Sequence, residues 1–231
     1  MIPRIAERQP GAASGHSLRP LTVGIDLRSG PRYTTGVAVM DADRRLHRIE
    51  VIQTDEALLE AVERAVPTTL VALDAPRGLP EGQCCTDQSC ECARHGIMRE
   101  VDQVCAAAGY HPFPTLLPSM VKLTERRIRL YEELTARSHE VTEVYPGMAQ
   151  DALGIPRKGR GLDGLRRGLK RAGVRGIPRA RRVPHDELDA ATCALVAQLQ
   201  LAGEMETMRP DDPVPLVLPQ REGSPRSATR R

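Results

Sequence analysis

The hydrophobic pattern changes period along the chain, and each change marks an element. Leu21-Thr-Val-Gly-Ile-Asp26 is a nearly continuous apolar run closed by an acid, the pattern of a buried strand. Ser29-Gly-Pro-Arg is a turn, Thr35–Asp41 a second strand, Asp41-Ala-Asp-Arg-Arg another turn, and the alternating stretch Leu46–Gln53 a third strand. Strands joined by connections this short form an antiparallel meander. Thr54 is placed to cap a helix running to about Val66, with Asp55 and Glu56 in the first turn, where acids complement the helix dipole. Thr69–Asp74 is a fourth strand, again closed by an acid. Ser119–Ala136 reads as a helix, Glu140–Tyr145 as a fifth strand and Gly161–Ala172 as a short basic helix. The last helix, His185–Ala202, carries Leu188, Ala191, Thr192, Leu195 and Leu199 on one stripe. The order βββαβαβα, with extra helices, predicts an α/β fold with a mixed five-stranded sheet covered by helices.

The ends of the chain break these patterns. Residues 1–20 mix polar residues, Pro and Gly without periodicity, and residues 205–231 are rich in Pro and Arg. Both are expected to be disordered tails around a domain of residues 21–204. With no Trp, one Phe and four Tyr, the core must rest on Val, Leu, Ile and Ala. No apolar stretch is long enough to span a bilayer, and residues 1–20 lack the apolar core of a secretory signal, so the expected location is the cytoplasm.

The acids give the strand pattern its chemical meaning. In mixed sheets, ligands sit at the carboxyl ends of parallel strands, and Asp26 and Asp74 both occupy such ends. A carboxylate there is costly unless it is paired, hydrogen-bonded or bound to a metal. A third acidic segment, His185-Asp-Glu-Leu-Asp-Ala-Ala, opens the last helix. Converging carboxylates are hard oxygen ligands suited to Mg²⁺ or Mn²⁺. Asp26 is the candidate shared ligand, Asp74 the second and Asp189 the third. Asp186, three residues earlier, either faces the same region or only complements the helix dipole; Asp189 lies nearer the apolar stripe and ranks above it. Glu143 is a candidate fourth ligand or base, with pairing to a basic residue equally open. His185 is a candidate base or metal neighbour, or a structural histidine. Arg99 and Asp102 have the spacing of a local ion pair, and Arg99 is also a candidate phosphate contact.

Seven pieces of the chain, in order, resemble a known family. They are Gly24-Ile-Asp26, Thr35-Gly-Val-Ala, Leu73-Asp-Ala-Pro-Arg-Gly-Leu-Pro80, Arg99-Glu-Val-Asp102, Pro118-Ser-Met-Val-Lys-Leu-Thr124, Glu143-Val-Tyr-Pro-Gly147 and His185-Asp-Glu-Leu-Asp-Ala190. Together they resemble domain-of-unknown-function family 429, described as predicted ribonuclease H-like nucleases. The resemblance implies the ribonuclease H-like fold, in which acids on the first strand, the fourth strand and the last helix bind divalent metals. It also implies phosphodiester hydrolysis, which in two-metal form needs cations about 3.5–4 Å apart between carboxylates.

Two further features stand apart from the acids. Cys84, Cys85, Cys90 and Cys92, followed by His95, crowd a loop-like segment, expected as an insertion over residues 84–95. Four thiolates suit zinc or an iron–sulfur cluster. Adjacent Cys84 and Cys85 strain one tetrahedral site, and His95 is available to replace one of them; a reduced loop without metal is the alternative. Cys105 and Cys193 fall in Ala-rich helical settings as buried apolar residues. Between Arg157 and Arg182 there are eleven Lys or Arg and a single acid, Asp163. Arg157, Lys158, Arg160, Arg166, Arg167, Lys170 and Arg171 are the candidate nucleic-acid contacts. No aromatics interleave them, so base stacking is not expected. The interspersed glycines suggest a mobile arm, and a solvated charged face is the alternative.

These features favour a divalent-metal-dependent nuclease acting on DNA or RNA. Two alternatives come from other classes. One is a non-catalytic nucleic-acid-binding module. The other is an actin-like phosphotransferase, suggested by Asp26-Leu-Arg-Ser-Gly with Thr34-Thr35-Gly but disfavoured by a core too short for two such domains.

Overall fold

The computed structural model describes residues 20–30, 32–208 and 216–219. The five strands β1 (Leu21–Asp26), β2 (Thr35–Asp41), β3 (Leu46–Ile52), β4 (Thr68–Leu73) and β5 (Val141–Glu143) form one sheet in the order β3-β2-β1-β4-β5. β1–β2 and β2–β3 are antiparallel, while β1–β4 and β4–β5 are parallel. A meander continued by parallel crossovers gives the expected mixed sheet of a ribonuclease H-like fold. The register sets the acids side by side: Ile25 is opposite Leu73 and Leu73 opposite Glu143. Asp26, Asp74 and Glu143 therefore stand at the carboxyl ends of three neighbouring parallel strands.

The sheet is covered on both faces. α1 (Asp55–Glu63) and α3 (Val121–Ala136) pack Leu58, Leu59, Val62, Leu130 and Leu134 against Val23, Ile25, Val37, Val39, Val71 and Leu73. Thr54 caps α1 as expected, its hydroxyl accepting from Ala57 N at 3.2 Å. On the other face α6 (His185–Leu201) lies across β1 and β2, with α5 (Leu162–Arg171) outside it. Strand alternation sends Ala38 and Met40 to this second core and Val37 and Val39 to the first. Two shorter helices, α2 (Glu100–Ala107) and α4 (Pro146–Ala152), complete the set.

Two glycines decide how closely α6 approaches. A Cβ at Gly24 would stand 2.1 Å from Ala190 O, and one at Gly36 would stand 2.0 Å from Asp186 O. Any side chain at either position would lift the helix from the sheet. Their absence seats the first turns of α6, and hence Asp186 and Asp189, directly on β1 and β2.

Several expectations are corrected. α6 is not amphipathic with one buried stripe: its residues from Asp186 to Leu199 are all buried. Cys193, Val196 and Ala197 on its other side pack with Leu70, Val144, Ala149 and Val217. The chain is not a structureless tail from residue 205. β6 (Met205–Thr207) pairs antiparallel with β7 (Val217–Pro219), and Leu216 and Leu218 are buried with Val101, Cys105, Tyr110 and Met148. The apolar run Leu216–Leu218 gains enough burial to order the segment despite its flanking prolines. The basic segment is no mobile arm either. Leu165, Leu169, Val174, Ile177 and Val183 anchor it in the second core. The expected tail over residues 1–20 lies outside the described residues except for Pro20.

Candidate active site

Three carboxylates meet where β1 and β4 end beneath the start of α6. Asp26 is 3% exposed and Asp189 4%, whereas Asp74 keeps partial access to solvent. The Asp74 backbone N–H donates to Ile25 O at 2.9 Å, which fixes its side chain beside that of Asp26. The two carboxyl groups are close enough to shift each other's protonation. Asp26 Oδ2 is buried and has no hydrogen-bond partner among the described residues.

The electrostatics report an excess of negative charge. Burial, then repulsion from Asp74 and Asp189, pushes the Asp26 carboxyl well above the usual range. Burial and the charge of Asp189 push Asp74 up to about 7, against a lowering from a hydrogen bond with Asp26. One cation meets the group directly: Lys158 Nζ lies 2.9 Å from Asp189 Oδ2. Burial alone would lower the Lys158 ammonium, but its hydrogen bond to Asp189 and the charges of Asp189 and Asp26 raise it. Gln150 Nε2 donates to Asp189 Oδ1 at 2.8 Å and to Thr192 Oγ1 at 3.1 Å, orienting the carboxylate from α4.

The remaining acids are differently placed. Asp186 is paired: Arg28 donates to its Oδ1 at 2.7 Å and the Thr34 hydroxyl to its Oδ2 at 3.1 Å. The same Arg28 amino group lies 2.8 Å from His185 Nε2. Glu143, a candidate fourth ligand, is held in a closed network. Arg99 reaches both of its oxygens at 2.7 and 2.8 Å, and the Arg77 backbone N–H donates to Oε2 at 2.8 Å. Arg99 also donates to Asp102 through Nε and an amino group, and its backbone N–H donates to Asp102 Oδ2 at 3.1 Å at the start of α2. Arg99 is thereby committed to these acids rather than turned toward a phosphate. Behind Glu143, Arg77 and Arg127 stack over the Tyr131 ring at 4.8 and 5.1 Å.

Gln150, Lys158 and Arg28 are the partners that reasoning from strand ends does not reach. Gln150 follows the Glu143-Val-Tyr-Pro-Gly147 piece on a short helix, and Lys158 reads from sequence only as one basic residue among many. Their roles depend on chain crossings that bring residues 150 and 158 beneath residue 189.

The four clustered cysteines also come together. Their sulfurs all lie within 4.8 Å of one another, with Cys84 to Cys90 at 3.8 Å and Cys85 to Cys92 at 3.7 Å. His95 is not one of this group; its ring packs against Gly82, where a Cβ would stand 2.6 Å from Nδ1. Cys105 and Cys193 are buried and lie apart from it.

Among the basic residues, the structure separates two sets. Arg157 pairs with Asp151, Lys158 with Asp189, and Arg166 donates to Pro178 O. Arg160, Arg167, Lys170 and Arg171 are exposed. The last three lie on α5, whose opposite face buries Leu165 and Leu169. Arg160, Arg166, Arg167 and Arg182 line a groove together with Asp163 and Leu188. No helix among the described residues is long and apolar enough to cross a membrane.

No curated protein matches the chain. Two solved structures of Thermus thermophilus RuvC are similar to it. One, RuvC in complex with Holliday junction substrate, is 17% identical with a TM-score of 0.46, the match covering 79% of this chain and 96% of that one. The other, of RuvC itself, is 18% identical with a TM-score of 0.44 and the same coverage. A model of the family described as protein of unknown function DUF429 matches residues 24–214. That span runs from within β1 past the end of α6 and takes in Asp26, Asp74 and Asp189, so the chain belongs to this family.

Proposed function

We propose that the protein is a divalent-metal-dependent nuclease that hydrolyses phosphodiester bonds of DNA or RNA. The observation that carries the reading is the surplus negative charge of Asp26, Asp74 and Asp189, which Lys158 offsets only in part. Buried acids are normally paired or neutralised. Here one buried oxygen of Asp26 has no partner, and two of the three acids hold protons more tightly than usual. An all-oxygen donor set with surplus negative charge fits Mg²⁺ or Mn²⁺. Asp26, Asp74 and Asp189 are the residues that would hold the ion. When bound, such an ion lowers the pKa of water and stabilises negative charge on a leaving oxygen.

The chain's own groups divide the remaining work. Gln150 fixes the orientation of Asp189, as partners of metal ligands commonly do. Arg28 and Thr34 neutralise and hold Asp186, leaving it a supporting rather than a ligating role. Lys158 balances part of the charge of the metal-free site and is long enough to turn toward a phosphate when a cation takes its place. The groove lined by Arg160, Arg166, Arg167 and Arg182 also touches Leu188 of α6 and suits a phosphate backbone without reading sequence.

The test is cleavage of DNA, RNA, hybrid and branched substrates with Mg²⁺, Mn²⁺ or chelator, using Asp26→Asn as control. Metal-dependent cleavage lost in the variant supports the reading; cleavage equal in the variant would remove it. A second reading, a non-catalytic nucleic-acid-binding module, draws on Lys158 already occupying Asp189. It expects binding without cleavage and no change in stability on adding Mg²⁺.

A further inference from the structure

Between β4 and α2, residues 81–98 lack an apolar core of their own. No residue from Glu81 to Met98 is buried, and its regular structure is a single 3₁₀ turn, Glu91–His95, with no buried residues. Ordering a backbone costs conformational entropy at every residue, and this stretch has no core to offset that. Polar ties exist: Thr86 Oγ1 to Glu125 Oε1 at 2.6 Å, and the Glu100 N–H to Glu81 Oε2 at 2.8 Å. They join its surface to α3 and α2, while within it Gln83 Nε2 donates to Gly96 O and the His95 ring packs against Gly82. At its centre, four cysteine sulfurs converge.

We infer that Cys84, Cys85, Cys90 and Cys92 bind one zinc ion in a tetrahedral thiolate site that staples this segment. The spacing selects the ligand. With metal–sulfur bonds of about 2.3 Å, the edge of a tetrahedron is about 3.8 Å. Cys84–Cys90 and Cys85–Cys92 stand at 3.8 and 3.7 Å. A disulfide would bring each pair to about 2.05 Å. A polynuclear iron–sulfur cluster sets irons and bridging sulfides between its thiolates, spreading them beyond the 4.8 Å that encloses all four here. One ion fits the space. Cys84 closes on Cys90 and Cys85 on Cys92, and the adjacent Cys84 and Cys85 stay within the same 4.8 Å.

The site is independent of the carboxylates. Its donors are soft sulfur rather than oxygen, which separates zinc from Mg²⁺ by chemistry. With four protein ligands and no open position, its role is structural. It fixes the chain between Asp74 and Arg99, which lie at the two ends of the segment.

The test is elemental analysis of the full chain purified under reducing conditions without chelator. One zinc per chain is expected, with none retained in Cys90→Ser and full retention in Asp26→Asn and Cys105→Ala. Co²⁺ exchanged into the protein should give the thiolate charge-transfer bands and intense visible bands of a tetrahedral sulfur site. Metal-depleted protein should be cut by protease between Glu81 and Met98 while the sheet persists. If Cys90→Ser does not fold, the wild-type chain supplies the answer: mercurial titration should release zinc in step with four thiols. Folded protein carrying no zinc, with four freely titrating thiols, overturns the proposal. So does iron with acid-labile sulfide. Loss of cleavage in Asp26→Asn with zinc unchanged keeps the two metal assignments separate.

Discussion

Asp74 and Glu143 end neighbouring parallel strands, yet their carboxylates meet opposite company. Glu143 faces a surplus of cations: Arg99 on both oxygens, a backbone N–H from Arg77, and Arg127 and Arg77 stacked behind on Tyr131. Burial holds the Arg127 guanidinium down to about 10, against the pull of Glu143. Asp102, the other acid of that network, takes Arg99 and the Thr115 hydroxyl. Asp74 faces Asp26 and Asp189, with Lys158 the one cation bonded to the trio among the described residues. The same fold thus builds one buried acid group that is closed and one that is open. A closed network does its work at folding. An open one has binding capacity left over, and a cation is what completes it.

The sharpest way to break this contrast is to remove the closed group's cation. Arg99→Met leaves Asp102 and Glu143 buried without their shared partner. Unpairing a buried ion pair costs about 3–5 kcal/mol, and urea unfolding should show a loss of that size. Adding Glu143→Gln in that background should recover part of it, because one stranded charge is gone. An Arg99→Met variant as stable as the wild type would show that the network is not the structural element described.

The open group should respond in the other direction. Asp26→Asn removes a ligand and also a repulsive charge. Cleavage should fall by at least the roughly 100-fold seen when the supporting partners of a metal site are lost. Stability without metal should hold or rise, since the buried Oδ2 charge and its repulsion from Asp74 and Asp189 are removed. A marked loss of stability in chelator would place Asp26 with Glu143 as a structural acid.

A pH series sharpens the same point. Asp74 is pushed up to about 7 by burial and Asp189, while an unfolded aspartate titrates near about 3.9. Between those values the folded, metal-free chain holds a proton that the unfolded chain has released. Stability in chelator should therefore fall as pH rises from about 4 to about 7 and level off above. Mg²⁺ binds the folded state and adds stability by mass action, more strongly above pH 7, where Asp74 is ionised. Urea midpoints at pH 5 and pH 8, with chelator and with Mg²⁺, check both statements. Asp74→Asn should flatten the chelator slope relative to wild type; an unchanged slope would assign it to other groups.

How much of this the sequence carries depends on how local each cause is. Asp26 and Asp74 are legible because a strand end is a local event, visible as an apolar run closing on an acid. Asp189 ranks above Asp186 from helical position alone, and the structure gives Asp186 to Arg28 while Asp189 faces Asp26 and Asp74. The pairing of Arg99 with Asp102 is legible from its spacing of three; the reach of Arg99 to Glu143, across 44 positions, is not. Nor are Gln150 and Lys158, whose roles arise only when α4 and the turn after it fold beneath α6. The burial of both faces of α6 escapes the stripe rule because its second face is Cys, Val and Ala, small enough to read as neutral.

The smallest expected effect lies at the basic groove. Glycines at 159, 161, 164, 168, 173 and 176 suggest a loose arm, but the aliphatic side chains between them are buried and fix α5 on the core. Its exposed Arg167, Lys170 and Arg171 thus form a rigid face beside Arg160. A rigid face holds its charges at fixed spacing and loses little entropy when phosphates bind. Each phosphate contact contributes about 0.9 to the log–log salt slope on duplex DNA. Replacing Arg160, Arg167, Lys170 and Arg171 with Gln should reduce the slope by about 0.9 for each residue that touches a phosphate, with binding weakened alike across sequences. Melting should not move, since none of the four is buried. Asp26→Asn should leave the slope intact while cleavage is lost. A quadruple variant with an unchanged slope would make this face solvated surface, and nucleic acid would have to reach Asp26 and Asp74 from another side.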